Sequence, residues 1–414
     1  MNAETPFTTP EDVGLDTAKL SNISNYFGAY VEKGKLAGVS TLVARGGKIA
    51  HFETVGERDR ENALPMEKDT IFRIYSMSKP ITSVALMMLY ERGLFQLSHE
   101  VYRYIPSFKK LQVWDGGTFD DYKTKPCERA MTIRDLLTHT SGLTYGFMHV
   151  HPVDKIYRRT GIEGAATANG MNLEEFCDAL ADIPLLFSPG TQWSYSVATD
   201  VCGRLVEILS GQPLDKFLQE NIFEPLGMVD TGFMVSAEKL CRFAANYEKD
   251  PKTKEVRLFD PGSDKSTYAT PKPFFSGGGG LTSTMVDYWR FCQMFLNGGE
   301  LDGVRILSPK TVDFMTLNHL PDGKTLPEMD QSAFSEVGMD GAGFGLGFSV
   351  VLDAAATQTI ASEGNHSWGG AASTLFWIDP QEDLIAILMT QLMPSRAYPL
   401  RPQMQQLVYG ALVD

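Results

Sequence analysis

Ser76 and Lys79, a serine and a lysine three residues apart, carry the clearest signal for chemistry in this chain of 414 residues. The segment that follows Pro80 is apolar around most of a helical circumference, which predicts a buried helix with the pair in its first turn. Side chains at positions i and i+3 share one face, and the amides at a helix N-terminus favour negative charge. Burial would lower the pKa of the Lys79 ammonium and leave an amine that accepts the serine proton. The pair therefore predicts nucleophilic catalysis by a serine.

The same spacing occurs twice more, at Ser107 with Lys110 and at Ser236 with Lys239. Both pairs lie in polar or charged stretches, so we interpret them as surface residues, with Ser236 at a helix N-cap. The structural alternative for Ser76 is a capping serine beside a lysine whose amine reaches solvent. The apolar helix that follows Ser76 favours the catalytic interpretation.

Four segments of the chain follow one another in a specific order: SMSK at 76–79, LLTHTSGL at 136–143, FSPGTQWSYS at 187–196 and SGGGGLTST at 276–284. This order resembles the serine β-lactamases, the penicillin-binding proteins and their esterase relatives, which share a Ser-x-x-Lys motif. The Lys-Thr-Gly motif of β-lactamases has no counterpart here, and Trp368-Gly369-Gly370 occupies its place. That replacement resembles the family VIII carboxylesterases.

The resemblance implies a role for individual residues. Ser76 is the expected nucleophile, and Lys79 with Tyr195 is the expected general base and acid. The expected oxyanion hole consists of the backbone amides of Ser76 and Ala371. Val197 stands where β-lactamases have the asparagine of a Tyr-x-Asn motif. This difference, together with the missing lysine, favours esters over lactams as substrates.

Further residues are candidates for contact with substrate. We interpret the Trp-Gly-Gly segment as a turn whose glycines permit a close backbone approach, and His139 as a buried, hydrogen-bonded histidine. The predicted substrate-binding residues are Trp368, Gly369, Gly370, His366, Tyr145 and Phe147.

The sequence gives little support for another type of nucleophile, a metal site or a phosphate-binding loop. The chain has no Gly-x-Ser-x-Gly nucleophile elbow and no His-Glu-x-x-His motif. His149 and His151 are close together but have no cysteine near them, so we expect no metal site and no cofactor. No Gly-Lys-Ser/Thr follows the glycines at 277–280, which we interpret as a bend against the cleft.

The fold class follows from strand patterns at both ends of the chain. Two N-terminal strands cannot form a stable sheet alone, so we predict an α+β fold of the serine β-lactamase/DD-peptidase type, with one antiparallel sheet built from both termini, flanking helices and a mostly helical insert. Residues 1–90 and 330–414 would form the discontinuous sheet domain, and residues 91–329 the helical domain, with the active site between them. The predicted strands are Val39–Ala44, Ile49–Val55, Gly345–Leu352, Ser373–Ile378 and Leu384–Thr390, before a last helix at Arg401–Leu412.

Composition limits the partners and the location. A net charge of -14 argues against nucleic acid as a ligand. The N-terminal segment lacks the features of a signal peptide, and no apolar run reaches bilayer length, so we expect a cytoplasmic protein without a membrane partner. Five scattered cysteines indicate reduced thiols. We expect a monomer or a small homo-oligomer.

These observations predict a serine carboxylesterase that hydrolyses small or short-chain acyl esters through an acyl-enzyme. The alternatives are a transesterase or acyltransferase, or a weak β-lactamase or D-amino-acid peptidase of the same fold. A catalytically silent binding module is a further alternative. The presence of Ser76, Lys79 and Tyr195 together argues against a silent module.

Overall fold

The computed structural model describes residues 5–162, 170–329 and 340–414. The predicted boundary at residue 330 lies outside these residues, and the division into two domains stays a prediction. The α-helices are α1 (Thr17–Glu32), α2 (Ser78–Glu91), α3 (Ile133–Leu137), α4 (Pro152–Arg159), α5 (Leu173–Leu180), α6 (Ala198–Ser210), α7 (Leu214–Leu218), α8 (Glu224–Leu226), α9 (Met285–Leu296), α10 (Pro309–Met315), α11 (Leu326–Met329) and α12 (Leu400–Tyr409). Short 3-10 turns connect several of them, including Tyr75–Met77 directly before α2.

Strands from both ends of the chain form the main sheet. The strands are β1 (Gly38–Arg45), β2 (Lys48–Asp59), β3 (Leu64–Pro65), β4 (Phe72–Arg73), β5 (Gln112–Gly117), β6 (Tyr122–Pro126), β7 (Asn246–Lys249), β8 (Val256–Asp260), β9 (Thr282–Ser283), β10 (Glu300–Leu301), β11 (Val304–Arg305), β12 (Ala342–Phe344), β13 (Ser349–Val351), β14 (His366–Gly370), β15 (Thr374–Asp379), β16 (Leu384–Met389) and β17 (Leu392–Met393). Eight of them pair in the order β12-β13-β14-β15-β16-β1-β2-β3. N-terminal β1 pairs antiparallel with C-terminal β16, which confirms the predicted α+β fold.

Alternation along the strands separates the two faces of this sheet. Val43 and Trp377 face a core that contains Phe27 of α1 and Met404 of α12. Leu42, Phe376 and Ile387 face the larger core, which contains α2, α6 and α9. Because both faces are covered, the central strands are almost continuously apolar.

The predicted buried helix is confirmed as α2, which is buried from Ser78 to Leu89. This helix packs against α6 and follows the 3-10 turn that packs against β14. Tyr75, directly before Ser76, has a left-handed φ of 44°. This backbone conformation turns the chain sharply out of β4 and into the helix.

Two predictions about the C-terminal strands are wrong. Gly345–Leu352 is not one strand, because a turn around Gly347, with a φ of 100°, separates β12 from β13. The Trp-Gly-Gly segment is not a turn but the end of β14, and the turn is Ala371–Ser373. Glycine usually weakens a strand, but here a side chain at position 370 would collide with the backbone of the turn before α2, since an ideal Cβ lies 2.4 Å from the Ile74 carbonyl oxygen.

Two further observations concern the helices and the cysteines. Among the helices of the described residues, none combines the length and the apolarity needed to cross a membrane. All five cysteines are free thiols, as predicted.

Candidate active site

The candidate nucleophile lies at the junction of the 3-10 turn and α2. Ser76 is 8% exposed and Lys79 is 1% exposed. Lys79 Nζ lies 3.2 Å from Ser76 Oγ, the contact expected from their spacing on one helical face. The structure therefore brings the serine and the amine into hydrogen-bond contact.

Tyr195 reaches the same point from the loop before α6. Its hydroxyl lies 2.5 Å from Ser76 Oγ, and the side chain has no exposed surface. Its ring packs against the rings of His139 at 5.2 Å and Trp368 at 5.4 Å. Packing on several sides holds the hydroxyl at the serine, so the three predicted catalytic side chains form one cluster.

Besides Ser76, Lys79 contacts Gly278 and Tyr145. Its Nζ donates to the Gly278 carbonyl at 2.6 Å and to the Tyr145 hydroxyl at 2.9 Å. It also lies 4.5 Å from the centre of the Tyr195 ring. The carbonyl can only accept, so one N–H of Lys79 always points away from the serine.

Tyr145 and Phe147 were predicted to contact substrate. The structure places Tyr145 in the Lys79 network and Phe147 at the surface. Tyr145 is buried, and its hydroxyl belongs to the Lys79 network. Phe147 stacks on the Tyr145 ring at 4.7 Å and is 46% exposed. An apolar ring thus extends from the Lys79 network to solvent, where an acyl or alcohol group of a substrate could cover it.

The end of β14 forms the opposite wall of the cluster. Trp368 has no exposed surface, and its ring contacts those of Tyr195 and Phe344. Its direct effect is therefore to support Tyr195. Gly370 abuts the turn that carries Ser76, and Ala371 follows it with partial exposure. The part played by Gly369, Gly370 and Ala371 in binding an ester stays a prediction.

His366 lies in the core instead of at the predicted substrate-contacting position. Its ring packs against Phe295 and Phe348, each at 5.4 Å, and Nδ1 lies 3.1 Å from the Gly364 carbonyl oxygen. Burial lowers the pKa of His366 to about 4. The extended conformation of β14 explains the error, because a strand advances about 3.3 Å per residue and so carries His366 away from Gly370, whereas a turn would have kept the two close.

His139 matches the expectation of a buried, hydrogen-bonded histidine. Its Nδ1 lies 3.1 Å from Ser196 Oγ. Burial, together with the nearby charge of Lys79, holds the pKa of His139 well below its usual range. The ring is therefore neutral and supports Tyr195 through packing.

The other two Ser-x-x-Lys pairs have different surroundings. Lys110 forms an exposed ion pair with Asp182, and Lys239 forms a partly buried ion pair with Asp230. Ser236 occupies an N-cap position, although its side chain makes no capping hydrogen bond. The hydroxyl oxygens of Ser107 and Ser236 have no hydrogen-bond partner among the described residues, so neither lysine contacts its serine.

Two residues that contribute to the site, Gly278 and Asp200, were not predicted from the sequence. Gly278 acts through its backbone carbonyl, which no residue pattern reveals. Asp200, fully buried in α6, accepts a hydrogen bond from the Gly278 amide at 2.9 Å. A carboxylate in the first turn of a helix is ordinary, and only its position on the buried face could have marked it. Within the described ranges, no group of three or more His, Cys, Asp and Glu side chains could hold a metal ion.

Comparisons with known proteins show the family and the fold of the chain. The model of the beta-lactamase family matches residues 23–409. Protein Rv1367c of Mycobacterium tuberculosis is 37% identical over 370 residues, which are 88% of each chain. Esterase EstB of Burkholderia gladioli is 33% identical over 399 residues, which cover 92% of this chain and 93% of the esterase. Among solved structures, EstCE1, described as a hydrolase with promiscuous acyltransferase activity, has a TM-score of 0.79 and 27% identity, with 95% of this chain and 98% of that chain covered.

The relatives include both hydrolysing and acyl-transferring enzymes, which supports ester hydrolysis or acyl transfer as the chemistry of this fold. They also agree with the predicted resemblance to esterases of this superfamily. The chain belongs to the beta-lactamase family and is a serine hydrolase with the fold of the β-lactamases and penicillin-binding proteins.

Proposed function

We propose that this serine hydrolase cleaves small or short-chain acyl esters through an acyl-enzyme on Ser76. The observation that carries the proposal is the contact of Ser76 Oγ with two proton-transfer groups, the Tyr195 hydroxyl at 2.5 Å and Lys79 Nζ at 3.2 Å. A serine hydroxyl becomes a nucleophile when a neighbouring base takes its proton. The fold and the esterase relative support the same chemistry.

In the first half of the reaction, Ser76 Oγ attacks the ester carbonyl carbon while its proton passes to the Lys79 and Tyr195 pair. The C–O bond to the alcohol then breaks, and the departing alkoxide takes that proton from the same pair. A lysine side chain accepts a proton only in its neutral form. One of its N–H groups is fixed on the Gly278 carbonyl, so its lone pair can face Ser76.

The negative charge that develops on the ester carbonyl oxygen during the attack must be stabilised by hydrogen-bond donors. In our proposal these are the backbone amides of Ser76 and Ala371, the first at the start of a buried helix and the second just after β14. Preorganised amides of this kind stabilise the tetrahedral intermediate more than the ester itself. Support comes from the packing of the Ser76 turn against the end of β14.

Water completes the reaction. It attacks the acyl carbon, gives a proton to the Lys79 and Tyr195 pair, and releases the acid as that proton returns to Ser76 Oγ. An alcohol in place of this water would give a new ester. The acyltransferase activity named for EstCE1 makes such transfer the second candidate function.

The substrate class follows from what surrounds the cluster. Val197 and Trp368 replace the asparagine and the lysine expected for lactam substrates, so we propose esters without a charged group near the carbonyl. Phe147, half exposed and stacked on Tyr145, offers an apolar surface for the acyl or alcohol part. Burial of such a group against an aromatic ring is favourable by about 25 cal/mol per Å² of apolar surface.

Covalent labelling tests the proposal. Wild-type protein should hydrolyse nitrophenyl butyrate and form a fluorophosphonate adduct on Ser76, located by mass spectrometry. Ser76→Ala should lose both properties, because it removes the nucleophile, while Ser107→Ala, a matched control from another Ser-x-x-Lys pair, keeps both. An unlabelled wild type without ester turnover would favour the silent module. With an added alcohol as acceptor, the ratio of new ester to acid separates transfer from hydrolysis.

A further inference from the structure

The loop of residues 276–280 lies directly beside Lys79 and is held by two helices. Its Gly278 carbonyl accepts the 2.6 Å hydrogen bond from Lys79 Nζ. Asp200 of α6 binds the Gly278 amide at 2.9 Å, and Thr82 of α2 donates to the Gly277 carbonyl at 2.9 Å. Residue 278 therefore has its amide fixed by one side chain and its carbonyl presented to another.

The glycines of this loop are required for its close approach to both helices. An ideal Cβ on Gly278 would lie 2.8 Å from Asp200 Oδ2. One on Gly277 would lie 2.9 Å from Thr82 Cγ2. Any other residue at either position would push the loop away from its anchors, and the Gly278 carbonyl away from Lys79. The glycines of this loop therefore have a more specific role than the predicted bend against the cleft, because they allow the loop to approach both helices.

Burying the carboxyl group of Asp200 is energetically unfavourable, and holding a loop in place does not by itself account for it. It is fully buried, and its Oδ1 accepts from Ser276 Oγ at 2.5 Å and from the Gly278 amide. Its Oδ2 has no hydrogen-bond donor among the described residues. A buried carboxylate oxygen without a partner is costly, and groups kept at such a cost are concentrated at functional sites.

The surroundings of this carboxyl connect it to the lysine. Burial raises the pKa of Asp200, whereas the Ser276 hydroxyl, the charge of Lys79 and the Gly278 amide act in the opposite direction. The carboxyl is thus close enough to feel the lysine charge without contacting it. Its hydrogen bonds lead to Lys79 through one residue, Gly278.

We propose that Asp200 is a positioning residue for Lys79: it fixes Gly278 so that the carbonyl holds one Lys79 N–H and the remaining face of the amine points at Ser76 Oγ. This inference rests on the proposed function. Asp200 touches neither substrate nor the reacting atoms, so its loss should slow proton transfer and leave ester binding nearly unchanged. Small displacements of a catalytic group are enough to lower rates strongly.

The test compares Asp200→Ala with Asp200→Asn in the full chain. Three quantities are measured: the rate of fluorophosphonate labelling of Ser76, kcat and KM for nitrophenyl butyrate, and the melting temperature. Asp200→Ala should lower labelling and kcat by about tenfold or more, with KM little changed. Asp200→Asn should stay within roughly threefold of wild type, because its amide oxygen still accepts from the Gly278 amide. Asp379→Ala is the control, since Asp379 is also fully buried but binds Tyr409 instead, and it should leave labelling unchanged.

Each result has a defined meaning. An Asp200→Ala protein that is labelled at the wild-type rate overturns the inference and leaves the proposed function standing. So does an Asp200→Asn protein as slow as Asp200→Ala, because hydrogen bonding to Gly278 would then not be what matters. A wild type that is neither labelled nor active refutes the proposed function and this inference with it. If Asp200→Ala does not fold, Thr82→Val, which removes the second anchor at similar volume, must lower the labelling rate, and wild-type labelling there refutes positioning by the loop.

Discussion

Replacing Tyr195 by phenylalanine removes one hydroxyl from the centre of the site and little else. That hydroxyl lies 2.5 Å from Ser76 Oγ, and the ring around it packs against His139, Tyr145 and Trp368. Phenylalanine retains the ring and these contacts. The fold should therefore lose only the hydrogen bond, at a cost of about 1 kcal/mol.

The expected effect on catalysis is much larger. A positioned general acid or base contributes about 10²- to 10⁴-fold, which corresponds to about 3 to 5 kcal/mol of activation free energy. Tyr195 is completely buried, so a water molecule cannot readily take the place of its hydroxyl. Lys79 stays 3.2 Å from Ser76 Oγ and should retain part of the proton transfer. We therefore expect kcat/KM of Tyr195→Phe to fall by about 10³-fold.

The assay is hydrolysis of nitrophenyl butyrate by wild type, Tyr195→Phe and the control Tyr409→Phe, with a thermal melt of each. Tyr409 lies on α12, donates to Asp379 at 2.6 Å and accepts from Asn365 at 2.7 Å, so its replacement removes both hydrogen bonds from a largely buried tyrosine. The control should melt slightly earlier and keep full activity. A folded Tyr195→Phe protein with near-normal kcat/KM would refute proton transfer through Tyr195.

Two further predictions concern β14. Gly370→Ala should lower kcat by about a hundredfold or more if an oxyanion donor is displaced, because the new Cβ would lie 2.4 Å from the Ile74 carbonyl oxygen. The control Gly28→Ala, whose Cβ meets only an ordinary contact at 3.8 Å, should keep full activity. Equal activity of the two variants would contradict the role of β14. His366 should make stability depend on pH: with its pKa lowered from 6.5 to about 4 by burial, it contributes about 3 kcal/mol above pH 6.5 that is lost as pH falls towards 4. Denaturant unfolding across this range should show that slope in wild type and a flatter one in His366→Phe.

The sequence was sufficient where the signal is local. Ser76, Lys79 and the buried α2 lie within one short segment, and the apolar pattern after Pro80 specifies its burial. The β1–β2 hairpin turns at two consecutive glycines, and Thr132 and Asp135, three residues apart, form a capping box at the start of α3. Each of these features depends on neighbours a few residues away.

Features that depend on distant contacts were missed. Gly278 meets Lys79 across 199 positions of the chain, and the interaction uses a backbone atom. Asp200 has an unremarkable place in its own helix, and only the packing of the 276–280 loop against α6 gives it a partner. The β14 strand contains two consecutive glycines, which local rules assign to a turn. Its neighbours β13 and β15 and the Ser76 turn override that local preference.

Core packing, more than loop conformation, determines how the site works. Tyr195 comes from a loop, yet its hydroxyl position is set by the buried rings of His139 and Trp368, and Lys79 is set by α2 and the Gly278 carbonyl. A site built in this way is organised before substrate arrives, so little reorganisation is needed in the transition state. Phe147, in contrast, is partly exposed, so this side of the site is in contact with solvent. We therefore expect the buried cluster of Ser76, Lys79 and Tyr195 to set the rate of acylation. We expect the exposed side at Phe147 to decide whether water or an alcohol accepts the acyl group.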